Sequence, residues 1–222
     1  MEVIESLGID NLIIYQDDAL YRFTSDAVIL SKFAKGKKNA VVADFCSGSG
    51  IVGLHYYALN KCVKSVDLVE IQPELSNLSQ KTVDANGLKD VFTVINKPIQ
   101  DLGAEYNGKY HLILCNPPYK KAGGGFKNLD DKIAICRHEV TVTQEDIIEV
   151  ASKKLNYGGK LCMCQRVERF NDMLLSLNKT GLTPSRIQFV TTGEDKEPYL
   201  FLIEATKGLK PQLKILPNCI NR

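Results

Sequence analysis

The run His111-Leu112-Ile113-Leu114-Cys115 leads directly into Asn116-Pro117-Pro118-Tyr119. That junction restricts the fold more than any other part of the chain. Two successive prolines hold φ at about −65° and remove two N–H donors. A β-ladder cannot continue through them, so the apolar run reads as a short buried strand that stops at a sheet edge. The carbonyls beyond the strand are bare acceptors. The Asn116 side-chain oxygen adds another, and Tyr119 offers a stacking face. Such a set suits a planar amine whose nitrogen must be aimed at a methyl donor.

Hydrophobic periodicity on either side predicts alternating strands and helices. Strands are expected over 40–45, 65–70, 91–95, 110–115 and 160–165, with two more near 186–191 and 199–205. Helices are expected over 26–35 behind an N-cap at Ser25, over 51–60, over 73–86 with Pro73 in the first turn, over 144–156 behind Thr143, and near 170–177. Alternation of this kind implies a parallel sheet with helices on both faces. The short turn between the last two strands implies an antiparallel pair. The predicted fold class is therefore α/β, a seven-stranded mostly parallel sheet closed by an antiparallel C-terminal strand pair. Residues 40–206 form the core domain, residues 1–39 an N-terminal extension packed near the active site, and residues 207–222 a basic tail. The segment 120–140 reads as a long loop.

The 222 residues suit one such domain, and no apolar stretch reaches the roughly 18 residues of a membrane span. Seven cysteines, an odd number without C-x-x-C spacing, point to reduced thiols in a cytoplasmic protein and to no metal site. Met1-Glu2-Val3-Ile4-Glu5 lacks the basic start of a secretory signal. The net charge of +2 leaves nucleic acid open as a partner.

Asp44-Phe45-Cys46-Ser47-Gly48-Ser49-Gly50 joins the first core strand to the next helix, and Glu70 closes the second strand twenty residues later. Glycines there let a ligand approach the backbone, and a carboxylate at Glu70 can accept both hydroxyls of a ribose. Gly48, Gly50 and Gly53 also match the dinucleotide spacing G-x-G-x-x-G. An acid at Asp44 repels a pyrophosphate, however, and pairs with an ammonium. S-adenosylmethionine (SAM), with an ammonium, a sulfonium and no phosphate, fits that chemistry.

With both motifs present, the chain resembles class I SAM-dependent methyltransferases of the amino-methylating branch, Rossmann-like enzymes. Within that branch it is similar to the bacterial tRNA adenine-N6 methyltransferases that modify the adenine beside the anticodon of a valine tRNA. The similarity rests on Tyr21 to Leu30, Asp44 to Gly50, Glu70, Asn116 to Tyr119, Arg137-His138-Glu139 and the tail Lys210 to Pro217. It implies that Asp44, Ser47, Gly48 and Gly50 cradle the methionine end of SAM, that Glu70 holds its ribose, and that Ile71 packs on its adenine. Such enzymes carry an acid after the third strand. Here Pro98 stands at that point, leaving the contact to Asp101 further along or to backbone near Ile99. Asn116, Pro117 and Tyr119 would be catalytic. Phe23, Asp26, Pro118, Lys120, Lys121, Arg166 and Arg169 would meet the RNA, and His138 would serve structure or RNA contact. The expected product is S-adenosylhomocysteine, and the expected state a monomer or weak homodimer. Two related activities share the tetrapeptide: methylation of a protein glutamine at N5 and of a ribosomal guanine at N2. The first belongs to chains with a larger helical N-terminal domain than the 39 residues before the first core strand here.

Overall fold

The computed structural model describes residues 1–20, 22–117 and 142–221. Its chain order is β1 (Glu2–Ser6), β2 (Ile13–Asp17), α1 (Ser25–Phe33), β3 (Val41–Phe45), α2 (Ile51–Leu59), β4 (Ser65–Glu70), α3 (Pro73–Ala85), β5 (Phe92–Asn96) and β6 (Tyr110–Cys115). After the undescribed segment come α4 (Gln144–Lys154), β7 (Leu155–Arg166), α5 (Phe170–Lys179), β8 (Leu182–Thr191), β9 (Leu200–Lys207) and two short strands, β10 (Lys214–Ile215) and β11 (Cys219–Ile220).

Seven long strands make the sheet, in the order β8-β9-β7-β6-β3-β4-β5. The run from β7 to β5 is parallel, and β9 is antiparallel to both β7 and β8. The sheet is thus the predicted mostly parallel one with its antiparallel C-terminal pair. β10 and β11 extend it by pairing parallel to β8. Helices α1, α2 and α3 cover one face through Leu30, Leu54 and Val83; α4 and α5 cover the other through Ile147, Ala151, Met173 and Leu177. The central strands are apolar on both sides, as parallel strands beneath two helical layers must be. No helix among the described residues is long and apolar enough to cross a membrane.

Three differences from the sequence expectation stand out. Thr24, not Ser25, stands at the N-cap position of α1, because Ser25 already has helical geometry and the extended residue precedes it. Strand β7 starts at Leu155, directly after α4, rather than beyond Gly158-Gly159. Leu155 pairs with Tyr110 and Lys160 with Leu112, so the extra residues between them are taken up by an irregularity in the ladder. The helix itself starts as expected: Thr143 and Asp146 form a reciprocal capping box. The third difference lies in the N-terminal extension, which contains an antiparallel hairpin, β1–β2. It docks on α3 through Asn86, whose amide bonds both the N–H and the carbonyl of Ile13, and through Thr82, which accepts from Tyr15 N at 3.0 Å.

Candidate active site

Every parallel strand delivers its C-terminal end to one edge of the sheet, and the singled-out residues gather there. β3 delivers Asp44, β4 Glu70, β6 Asn116 and β7 Arg166. The loop after β3 is held in an unusual conformation. Cys46 lies at φ 56°, Gly48 at 57° and Gly50 at 88°. For Cys46, which carries a β-carbon, the left-handed region costs roughly 1–2 kcal/mol. At Gly48 a β-carbon would meet no protein atom within 4 Å, so the bare backbone faces open space. At Gly53 the opposite holds: a β-carbon would fall 2.7 Å from Leu68 Cδ2 and 3.3 Å from Asp44 Oδ2.

Asp44 is fully buried. Its Oδ2 accepts from Gly53 N at 2.8 Å, in the first turn of α2. Its Oδ1 is buried without a hydrogen-bond partner, and so is the hydroxyl of Ser47 two residues past the strand. Burial pushes the Asp44 carboxyl up to about 8; the Gly53 N–H works against that shift and nearby Glu70 adds to it. Glu70 is also buried. Its two oxygens accept from Gly48 N at 2.8 Å and Gln72 N at 2.9 Å. Burial raises its pKa while those N–H groups pull it back. Glu70 therefore braces the glycine loop from below and presents its carboxyl at the same edge.

The geometry favours one of the two cofactor chemistries. A dinucleotide site presents free helix N–H groups to a pyrophosphate. Here the start of α2 is already capped by the Asp44 carboxyl, and a second carboxyl approaches the loop from β4. The loop offers two buried oxygens in need of partners, so it suits an ammonium- and hydroxyl-bearing ligand.

Several supporting residues left no mark in the sequence pattern. Ser79 of α3 donates to the Gly48 carbonyl at 2.9 Å. Asn96, ending β5, donates to the carbonyls of Glu70 at 2.8 Å and Ile71 at 3.1 Å, fixing the turn beyond β4. Cys164 of β7 donates its thiol to Asn116 Oδ1 at 3.0 Å. That contact orients the amide of Asn116, while Pro117 beside it is buried. Cys46 also hydrogen-bonds the buried Cys115, whose thiol burial raises far above the usual range. Ile71 is half-buried beside the Glu70 turn, and Ile99 is buried in a short 3-10 helix behind Pro98.

Asp26 lies buried at the start of α1, accepting from Tyr199 Oη at 3.2 Å, and Phe23 donates its backbone N–H to Gln16 at 3.1 Å. The Arg166 guanidinium lies over the Tyr199 ring, 5.4 Å from its centroid. Arg169 is buried and pairs with Asp172 at 3.2 Å and Glu145 at 3.6 Å. Its charge therefore ties α4 to α5 in this structure, unlike the exposed phosphate contact expected of it. Pro118, Tyr119, Lys120, Lys121 and Arg137-His138-Glu139 lie outside the described residues.

Residues 24–179 match the methyltransferase small domain family. The chain belongs to that family. Among its relatives, a tRNA1(Val) (adenine(37)-N6)-methyltransferase of Parabacteroides distasonis is 23% identical over 90% of this chain and 83% of its own length. The enzyme of the same name from Porphyromonas gingivalis is 27% identical over 85% of this chain and 76% of its own. In fold, the chain is similar to a predicted O-methyltransferase from Agrobacterium tumefaciens, with TM-score 0.69, 19% identity and 88% and 86% of the two chains covered. It is also similar to TYW2 of P. horikoshii in complex with MeSAdo, with TM-score 0.67, 14% identity and 94% and 72% covered. A family member of this fold is a methyltransferase.

Proposed function

We propose that this protein uses SAM to methylate the exocyclic N6 amine of an adenine in tRNA, at position 37 of a valine tRNA. The observation that carries the reading is the meeting, at one sheet edge, of the Asn116-Pro117 acceptor pair with a loop whose buried Asp44 and Ser47 oxygens want donors. The names of the relatives from P. distasonis and P. gingivalis support the choice of tRNA adenine over the glutamine and guanine alternatives.

SAM, when bound, supplies the methyl group on a positively charged sulfur. The chain's own residues do the rest. Asp44, ionised against the ligand's ammonium, and Ser47 hold the amino-acid end. Glu70 accepts from the ribose hydroxyls while its N–H partners keep it in place. Ile71 and the backbone around Ile99 line the adenine end. The exocyclic amine of adenine is a weak nucleophile because its lone pair is delocalised into the ring. Asn116 Oδ1 and the Pro117 carbonyl accept its two N–H groups and turn the lone pair toward the methyl carbon. Positioning and preorganised dipoles then supply the acceleration. No strong base is needed at the outset, since the nitrogen becomes acidic only after it has gained the methyl. The target base must leave its stack. Tyr119 and Phe23 would stack on it, Asp26 and Pro118 would line its entry, and Lys120, Lys121 and Arg166 would meet the phosphates. Arg169, held by Asp172 and Glu145, would act by fixing the edge that carries Arg166.

Nucleoside mass spectrometry of bulk tRNA incubated with the protein and labelled SAM tests the reading. The expected product is N6-methyladenosine at position 37. Label on protein glutamine or on guanine, with unmodified adenine, would replace it.

A further inference from the structure

At the opposite edge of the sheet, where β6 and β7 begin, lies a cavity of about 230 Å³ that methyl transfer does not use. It is lined by Lys35, Lys37, His111, Tyr157 and Lys160 with neighbouring Gly and Asn residues, and no carboxylate. Three lysines without an acid are a local concentration in a chain whose net charge is only +2. His111 and Asn116 are five residues apart along β6, about 17 Å at strand rise, so the two sites are separate.

The cavity is built rather than incidental. The turn that carries the two leading lysines is pinned from beneath. The Lys35 N–H lies against the buried Cys162 sulfur, and the Gly36 N–H against the Tyr56 hydroxyl. A β-carbon on Gly36 would fall 2.2 Å from that hydroxyl, so glycine is what lets the turn sit so low. Neither Lys35 nor Lys37 is in an ion pair among the described residues. Lys160 is 3.2 Å from Glu204, but that carboxylate already receives Arg186 and Ser185. Its positive charge is therefore only partly met.

His111 adds a donor in a fixed direction. Its Nδ1 accepts from Val41 N at 2.9 Å, so the neutral ring carries its proton on Nε2. Burial keeps the ring neutral, and the neighbouring Lys37 and Lys64 charges reinforce this. Beside the lysines, Tyr157 is 74% exposed, with its Cδ2 and Cε2 atoms next to Gly208. The volume is below the roughly 300–1,000 Å³ of pockets that enclose drug-sized ligands. It admits a phosphate and part of a sugar, with an aromatic base left outside against Tyr157.

We propose that this cavity is a second ligand site, which binds the phosphate of a nucleotide through Lys35, Lys37, Lys160 and His111 while the base stacks on Tyr157. The phosphate could belong to a free nucleotide or to the backbone of an RNA, since the recognising chemistry is the same. The site stands independently of the methyl-transfer reading, because free nucleotide is one of its probes.

The test follows the His111 ring by NMR in the full-length protein while AMP or tRNA is added, in wild type and in the double variant Lys35→Ala/Lys37→Ala. A bound phosphate should raise the His111 pKa by about one unit, since each unit reflects only 1.36 kcal/mol of added interaction. The double variant should bind AMP at least tenfold more weakly, and Tyr157→Ala should weaken AMP more than inorganic phosphate. SAM binding should be unchanged in both variants, which shows that they fold. If RNA is the source, the salt dependence of tRNA binding should flatten in the double variant, by about 1.5 in log K against log salt. An unchanged salt slope in the double variant, together with AMP binding by the wild type that the double variant weakens, assigns the site to a free nucleotide. The proposal is overturned if neither AMP nor tRNA moves the His111 resonances, or if both move them equally in the double variant.

Discussion

On the proposed reading, the buried Asp44 carboxyl makes SAM binding depend on pH. Without a ligand, Asp44 titrates at about 8 because burial penalises its charge. At pH 7 roughly nine in ten free molecules then hold it protonated, and an ammonium ligand must displace that proton. The cost is about 1.4 kcal/mol at pH 7 and grows by a similar amount for each further unit of acidity. Between pH 7 and pH 5.5 it increases by about 2 kcal/mol, an affinity loss of about 30-fold. The α-amine of the ligand titrates near 7.7–8.0 in model compounds, so in this window it is already largely charged and the slope belongs mainly to the protein.

Isothermal titration calorimetry in two buffers of different ionisation enthalpy measures both quantities. About 0.8 proton net should be released per SAM bound at pH 7, roughly 0.9 from Asp44 less the roughly 0.1–0.2 taken up by the amine, and the dissociation constant should rise steeply toward pH 5.5. Asp44→Asn keeps an oxygen for Gly53 but has nothing to titrate at that position, so its weaker binding should show a much shallower profile across the window. A flat profile in the wild type, or the same slope in Asp44→Asn, refutes the reasoning. Stability supplies a sign check. The folded pKa lies above the ordinary 3.8, so the folded chain binds a proton that the unfolded chain has released. The ligand-free protein should therefore lose stability as pH rises from about 4 to about 8, and Asp44→Asn should flatten that part of the curve.

On the proposed reading, in which Asn116 meets the amine rather than the cofactor, Asn116→Ala should abolish methyl transfer and leave the SAM dissociation constant within a factor of about two; single-turnover assays with calorimetry separate the two. Glu70→Gln should weaken SAM by at least about tenfold and lower stability by about 1–3 kcal/mol, because the amide replaces a carboxylate that receives the Gly48 and Gln72 N–H groups; urea denaturation reads the second effect. Gly53→Ala places a methyl 2.7 Å from Leu68 Cδ2 and should cost about 1–3 kcal/mol by thermal unfolding. An unshifted melting temperature would mean that α2 can move off β4 freely.

The alternating pattern was enough to read seven strands and their mostly parallel pairing, though not their order, because each central strand is largely apolar on both faces and that composition is local. Contacts between distant segments were not legible. The hairpin β1–β2 is held by Thr82 and Asn86, 67 and 73 residues away from their partners, and neither residue stands out on α3. Cys162 and Cys164 lie two apart on one face of β7, in the core. The thiol of Cys164, however, lies next to Asn116 only because β6 and β7 run in parallel with Cys115 opposite Met163. Arg169 shows the converse limit. Its place just past a strand suggested a phosphate contact, whereas its acidic partners come from α4 and α5.

The spacing Gly48, Gly50, Gly53 is shared by two chemistries, and the third glycine shows how one loop serves the second. In a dinucleotide site that glycine brings helix and strand close, and the helix start meets phosphate. Here it does the first task against Leu68 and Val66, but its N–H goes to Asp44. A carboxyl at the end of β3 thus occupies the place where an anion would bind, and its other oxygen remains buried and unmatched. An unmatched buried oxygen costs stability until a donor arrives. The loop is therefore less stable empty than filled, and a cationic ligand returns to Asp44 the ionised state that burial denies it. On the proposed reading, the residue before the glycines, rather than the glycines themselves, selects the cofactor class.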